Sequence, residues 1–381
     1  MRRSCFTDEH EVFRENYRRF LQQEVLPHRE SWRSAGVVPR EIYRRMGEQG
    51  YLLIWASPDF GGAGIDDFRF QQIMIEEDAS SGEAGLFHTF HSRLVAPYLQ
   101  HFGSREQQQR FLPACVRGEC ILAIGMTEPD AGSDLAGIKT RADNKGDHWL
   151  LNGSKTYISN GIIADLVVVA AKTDPERPRQ IGLFLVEGAM EGFARGRNLS
   201  KLGLTAQDTA ELFFSNVKVP QSNVLADPTK GMHYLMQALA EERLLTACSS
   251  LAAAQQAFDI TKNFVTARKA FGKTLAEQQD VRFRLAALRA EVDIAQVFID
   301  HCVAEHNAGR LTPAVAAEAK LFTSELEGRV TDQCVQLHGG AGFMREYEIC
   351  NLYANARVSR IYAGSSEIMK EIIARSIFEN D

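Results

Sequence analysis

The chain has 381 residues, 45% of them hydrophobic and 24% charged, and a formal net charge of −6. Such a length exceeds one typical core and predicts two or three domains. The acidic balance argues against a nucleic-acid binder, and no apolar run approaches the roughly 18 residues of a membrane span.

Residues 1–20 carry two early arginines, Arg2 and Arg3, with no apolar stretch behind them. A secretory or twin-arginine signal is therefore not expected, and Asp8, Glu9, Glu11 and Glu15 argue against a transit peptide. Residues up to about 120 read as helical. Val12, Phe13, Phe20, Val25 and Leu26 fall near one face of a first helix. Pro39 suits the first position of another helix, which Gly50 should end. The glycine-rich 58–67 stretch is a turn, because it lacks the GxGxxG spacing.

Between about 121 and 220 the pattern changes. Residues 149–161, 165–173, 181–187 and 210–220 are short, rich in β-branched and aromatic side chains, and punctuated by Asn, Gly, Pro and Asp. They read as strands of an all-β domain. Ser154 separates Gly153 from Lys155, so the P-loop spacing fails.

From about 232 the chain is helical again. Leu244, Cys248, Leu251, Gln255, Phe258 and Val265 recur every three to four residues, giving one apolar stripe with small residues between. A turn at 270–274 ends this helix. A second spans about 280–307. A third starts with Thr312 as cap and Pro313 in the first turn. Two more follow, over 346–358 and from Gly364 onward.

The seven cysteines form no CxxC pair, which fits free thiols in a reducing cytoplasm better than a zinc site. His88 and His91 form an H-x-x-H pair, read as packed or solvated side chains. No metal site is expected.

Three polar, glycine-bearing stretches stand in apolar surroundings: MTEPDAGSD (126–134), QLHGGAGF (336–343) and AGSSE (363–367). Loops of this kind bring backbone N–H groups close to a phosphate or a flat ring, although each alone reads as an ordinary turn. With NGSKTYISNG (152–161) and ARKAFGK (267–273), in this order and at long defined gaps, the set resembles the acyl-CoA dehydrogenase family over essentially the whole chain. EERLLTA (241–247) and EIMKEIIAR (367–375) are most similar to its long-chain branch.

The resemblance implies an α+β multi-domain fold. Residues 1–120 would form an N-terminal helical domain, 121–231 a middle β-barrel and 232–381 a C-terminal four-helix bundle. It also implies FAD, a homotetramer built as a dimer of dimers, and an electron-transfer flavoprotein as acceptor. The reaction would be α,β-dehydrogenation of an acyl-CoA in fatty-acid or branched-acyl β-oxidation. A base takes the α-proton and the β-hydride goes to flavin N5. The location would be the cytoplasm of a bacterium or the mitochondrial matrix of a eukaryote.

Roles follow by position. Ile124, Met126, Thr127, Gly132 and Ser133 should wrap the flavin and its ribityl chain, with Ser133 also near substrate. Tyr157, Ile158 and Ser159 should lie against the ring; Tyr and Ser stand where the family often has Trp and Thr, and keep a flat face and a hydroxyl. Arg268, Phe271 and Gln279 resemble contacts to the FAD of a neighbouring subunit, with Arg268 suited to pyrophosphate; otherwise Arg268 is a surface salt bridge. Gln336, Leu337, His338, Gly339 and Gly340 should approach the adenosine diphosphate, and Ser365, Ser366 and Glu367 should continue that site at a helix start. Asp130 replaces a frequent glycine and is expected to point outward.

Most of the family places its catalytic glutamate where this chain has Ala363. A minority, including the long-chain and isovaleryl-CoA enzymes, carries it on the first bundle helix, and the matching residue is Glu242. Glu241 and Glu242 point about 100° apart, so at most one faces a given cavity. On the residues alone, both could simply favour a helix N-terminus. Ala363 and Gly364 would then contribute backbone to the thioester carbonyl, and Arg243 would orient the thioester or form a salt bridge. Competing readings keep the fold but change the chemistry: an acyl-carrier-protein thioester dehydrogenase, an acyl-CoA oxidase, or a base-less homologue that only binds flavin or acyl-CoA.

Overall fold

The computed structural model describes residues 3–174, 176–177 and 179–378. Arg2 and residues 379–381, which belong to the expected leader and bundle segments, lie outside them. Six helices come first: α1 (Asp8–Phe20), α2 (Arg29–Ala35), α3 (Arg40–Glu48), α4 (Phe68–Ser81), α5 (Ala96–Phe102) and α6 (Arg105–Val116). The first expected stripe is only partly right. Phe20 and Val25 are buried, but Val12 is 58% and Leu26 39% exposed. A widened helical turn over Leu21–Val25 rotates Leu26 out of the 3.6-residue register, and Val12 sits on the solvent face beside Glu11. Pro39 stands one residue before α3 as its extended cap, and Gly50 turns the chain at φ +73°.

The middle of the chain forms one curled seven-stranded sheet: β1 (Leu122–Gly125), β2 (Arg141–Asn144), β3 (His148–Ser159), β4 (Leu166–Lys172), β5 (Ile181–Glu187), β6 (Phe193–Asn198) and β7 (Thr209–Pro220). The strand order is β1-β4-β2-β3-β7-β6, with β5 on β4. β4 and β5 read as unbroken apolar runs because both their faces are buried. β3 and β7 pair antiparallel. Their register jumps from Lys155↔Leu212 to Ile158↔Ala210, so Thr156 and Tyr157 oppose a single residue in a bulge.

The remainder is helical: α7 (Gly231–Ala267), α8 (Gln279–Asn307), α9 (Pro313–His338), α10 (Glu348–Ser359) and α11 (Ser366–Phe378). The expected turn after α7 is a small hairpin of β8 (Lys269–Ala270) and β9 (Lys273–Thr274). On α7 the stripe holds: Leu244, Cys248, Leu251, Phe258 and Val265 are buried, with Gln255 half-buried. Ala247, Ala254 and Ala257 are fully buried between them, letting helices approach closely. Val315 N–H donates to Thr312 Oγ at 3.2 Å, capping α9 as expected. At Gly231 a Cβ would lie 2.6 Å from the Ile181 carbonyl, so glycine lets α7 start flush against β5.

Two cores result. One joins the N-terminal helices to the sheet; the other fills the bundle. α4 serves both, sending Met74 into the first and Phe68 and Ile75 into the second. Arg3 is folded in, donating to Asp300 at 2.8 Å and Glu76 at 2.6 Å. Among the described residues no helix is long and apolar enough to cross a membrane.

Candidate active site

Glu242 lies about three turns inside α7, so the helix-end reading of the two glutamates does not hold. The neighbours point apart. Glu241 Oε2 is 3.1 Å from His306 Nε2, and Oε1 is 3.4 Å from Arg93 Nε. Glu242 has no ion pair and no side-chain hydrogen bond among the described residues. Burial pushes its carboxyl up to about 7, against the opposing pull of Arg243 and Lys320. Tyr98 on α5 and Tyr362 close around it: both phenols are raised, first by burial and then by carboxylates that include Glu242.

The second half of this site is the turn before α11. Ala363 and Gly364 adopt φ of +53° and +89°. At φ +89° an L side chain would be strained, so the turn favours glycine at 364. No acceptor among the described residues takes the N–H groups of Ala363, Gly364 or Ser365. The Gly364 carbonyl, in contrast, accepts from Lys320 Nζ at 2.6 Å. Lys320 is fully buried on α9. Burial lowers its ammonium to about 8, with Glu242 foremost among the groups pulling it back up. Lys320 thus links the carboxylate to the turn. Arg243 is also buried, and its Nε has no hydrogen-bond partner. Among the described residues it does not form the salt bridge that was its alternative role.

Around the β domain a second cluster holds the 126–134 loop. Glu128 and Ala131 exchange backbone hydrogen bonds at 2.8 and 3.1 Å. The buried Glu128 carboxylate accepts from Lys155 Nζ at 2.8 Å and from the Thr140 N–H at 3.0 Å. Lys155 Nζ also donates to the Met126 carbonyl at 3.1 Å. Burial lowers Lys155 to about 8, and Glu128 pulls it back up. Thr156 N–H donates to the Thr127 carbonyl at 2.9 Å, placing Thr127 beside the β3 bulge. There Tyr157 has φ +59° and is 69% exposed, presenting a flat ring outward. Asp130 does point outward, paired with Lys139 at 2.7 Å.

These surfaces suit a flat ring joined to a diphosphate. Tyr157 offers a face, and Met126, Thr127 and Ser159 are half-buried beside it. Nothing lies within 4 Å of a Cβ built on Gly132, Gly339 or Gly340, so their backbones are open to a large ligand. Ser133, Gln279, Gln336 and Glu367 are exposed, and Leu337 and Ser365 half-buried. Arg268 is exposed and forms no ion pair among the described residues, against its salt-bridge alternative. Phe271, 97% exposed at the hairpin tip, faces away from its own chain.

Four expected ligand residues turn their side chains inward. Ile124 and Ile158 are core residues of β1 and β3, leaving only backbone. The His338 imidazole is bonded to the Cys334 carbonyl at 2.8 Å and stacked on Phe264 at 4.2 Å. Ser366 donates to Glu325 at 2.7 Å. His88 and His91 are fully buried and bonded to Asp78 and to the Cys115 carbonyl. Sequence reasoning missed Lys155, Glu128, Lys320, Tyr98 and Tyr362. Lys155 carried a signal: it shares the inward alternation of Trp149 and Leu151 on β3.

Models of the acyl-CoA dehydrogenase N-terminal, middle and C-terminal domains match residues 7–119, 123–217 and 229–378. The long-chain specific mitochondrial acyl-CoA dehydrogenase of Rattus norvegicus is 47% identical over 378 residues, covering 98% of this chain and 88% of its own. An acyl-CoA dehydrogenase structure from Geobacillus kaustophilus superposes with a TM-score of 0.96 at 46% identity, over 98% of this chain and 99% of the other. A glutaryl-CoA dehydrogenase of Mycobacterium smegmatis in complex with FADH2 gives 0.92 at 28% identity, over 99% and 96%. With the layout and the site already in agreement, these matches place the chain in the acyl-CoA dehydrogenase family.

Proposed function

We propose that this chain is an FAD-dependent acyl-CoA dehydrogenase in which Glu242 takes the α-proton of the thioester. The observation that carries this is the half-buried Glu242 carboxyl, without an ion pair or side-chain hydrogen bond among the described residues, near a turn whose N–H groups are unspent there. A base held up at about 7 is half-ionised near neutral pH and matched to proton abstraction. The acyl group, once bound, excludes water from this end of α7. The Ala363 N–H donates to the thioester carbonyl and stabilises the charge that develops as the α-proton leaves; one such donor is worth about 10²- to 10³-fold in rate. Arg243 steadies the thioester.

Met126, Thr127, Gly132, Ser133, Tyr157 and Ser159 hold the flavin end of FAD, and Gln336, Gly339, Gly340 and Ser365 the nucleotide end. When bound, the flavin supplies the acceptor for the β-hydride. Anaerobic addition of acyl-CoAs of varied length and branching tests the reading through bleaching of oxidised flavin. Absence of bleaching by every acyl thioester would sink it, and rapid reoxidation by oxygen alone would favour an oxidase.

The same reading includes a homotetramer, an electron-transfer flavoprotein as acceptor, and a place in β-oxidation in the bacterial cytoplasm or mitochondrial matrix. What supports assembly is the α7–α8 hairpin. An arginine with no ion pair among the described residues and a fully displayed phenylalanine suit the diphosphate and apolar edge of a neighbouring subunit's FAD. Gln279 joins them in the same contact.

A further inference from the structure

A cavity runs beside α7 beyond Glu242, between α4, α9 and α10, walled by Ile75, Ala79, Leu86, Phe87 and Leu352. Ser249 and Ala253 line it, seven and eleven residues after Glu242 and so on its face of the helix. Tyr362 also lines it and lies near both Glu242 and Glu327. On α9, Glu327 comes seven residues after Lys320. The two helices therefore run level, with Glu242 and Lys320 at one end and Ser250 and Glu327 about 10 Å further on. This is where the tail of a thioester held at Glu242 would lie.

Asp78, Thr89, Asn355 and Glu327 also line it, but Asp78 is engaged by Tyr17 and His88, and Asn355 by the Leu204 N–H. Glu327 is 5% exposed, and its Oε2 has no hydrogen-bond partner. Ser250 is 2% exposed, and its Oγ, which lies beside the same carboxyl, makes no well-aligned hydrogen bond among the described residues. Arg360 acts on the carboxyl only through its charge: its Nη1 is paired with Glu325, at 3.5 Å. Burial raises the Glu327 carboxyl to about 7, against a weaker downward pull from the neighbouring Ser359 and Ser250 hydroxyls. A large share is therefore neutral at physiological pH and can donate as well as accept. The positive fields of Arg360 and Lys320 disfavour a cationic ligand group. A hydroxyl, which both donates and accepts, fits a carboxyl and a serine together.

We propose that Glu327 and Ser250 form a distal polar subsite, selecting an acyl group with a hydroxyl about eight C–C bonds beyond the α-carbon. The inference rests on the acyl-CoA dehydrogenase reading. An unsubstituted chain of that length would leave the Glu327 carboxyl with only the Ser250 and Ser359 hydroxyls beside it, and a ligand hydroxyl adds the partner that its Oε2 lacks.

The probes are 10-hydroxydecanoyl-CoA and decanoyl-CoA, compared by anaerobic flavin reduction in the FAD-loaded protein. The wild type should favour the hydroxylated chain by about tenfold in reduction rate over dissociation constant. Glu327→Leu should abolish or invert that ratio, and Glu327→Gln, which keeps hydrogen bonding, should retain most of it. Hexanoyl-CoA, too short to reach Glu327, reports whether each variant still folds and reduces its flavin. Equal use of both ten-carbon chains by the wild type, or an unchanged ratio in Glu327→Leu, would overturn the subsite and leave the dehydrogenase reading standing. Failure of all three thioesters to bleach the wild type would overturn both.

Discussion

Lys320 Nζ donates to the Gly364 carbonyl at 2.6 Å, and the same ammonium acts on Glu242. One buried cation therefore fixes the turn proposed to hold the thioester and lowers the proton affinity of the proposed base. Lys320→Met removes both effects. The acidic limb of the pH profile for flavin reduction should move to higher pH, because Glu242 loses a charge that favours its ionised form. Stability should fall by about 1–3 kcal/mol, from the undonated Gly364 carbonyl. A pH profile unchanged in this variant would refute the electrostatic link.

In the wild type, flavin reduction should rise with pH through about 7 and then level, since the proposed base Glu242 would act deprotonated and burial raises its carboxyl. Glu242→Gln should slow reduction by at least about 10²-fold while FAD stays bound. Stopped-flow bleaching at saturating acyl-CoA reads both effects; full activity in the glutamine variant would remove Glu242 from its role.

The adjacent carboxylate should behave differently. Glu241 is engaged by Arg93 and His306, so Glu241→Gln should change the reduction rate by less than about threefold. Its effect should appear in thermal unfolding, as a loss of about 1–3 kcal/mol from the disturbed Arg93 and His306 contacts. A rate loss equal to that of Glu242→Gln would mean that the two roles are misassigned.

Lys155 and Glu128 anchor the 126–134 loop from inside the β domain. Lys155→Met leaves a buried carboxylate without its cation and should cost about 3–5 kcal/mol, with faster release of FAD. Lys155→Met with Glu128→Gln should cost less than the sum of the two single changes. Strict additivity, read by calorimetry and flavin fluorescence, would show that the pair is not coupled.

Much of the architecture could be read from the chain because local rules and tertiary packing agree there. Thr312 and Pro313 start a helix by capping chemistry alone, and the Leu244–Val265 stripe buries as its spacing demands. α1 fails where a widened turn breaks the period that the pattern assumes. The site was legible to a different degree. Glu242 alone reads as one more helix glutamate: the helical segment is legible from about 232, yet nothing local says which of Glu241 and Glu242 faces a cavity. That is settled by Arg93 and His306, which engage Glu241, a tertiary fact. Lys155 and Lys320 look like solvated lysines for the same reason, and their buried partners lie 27 and 44 residues away in sequence. Ile158 and His338 sit in the right motifs, yet a motif does not say which side of the backbone faces a ligand.

α7 is a single 37-residue rod. Glu242 lies within it and Arg268 just past its C-terminal end, separated by about 39 Å at the helical rise. That span is too great for both residues of one chain to serve the same catalytic pocket, so each chain would lend its arginine to its neighbour's. Two separately crippled variants then become complementary. When Glu242→Gln and Arg268→Ala chains are unfolded together and reassembled, each mixed pair contains one pocket with both defects and one with neither. Activity should return in the mixture although each parent lacks it, and a mixture as inactive as its parents would place both residues in the same pocket.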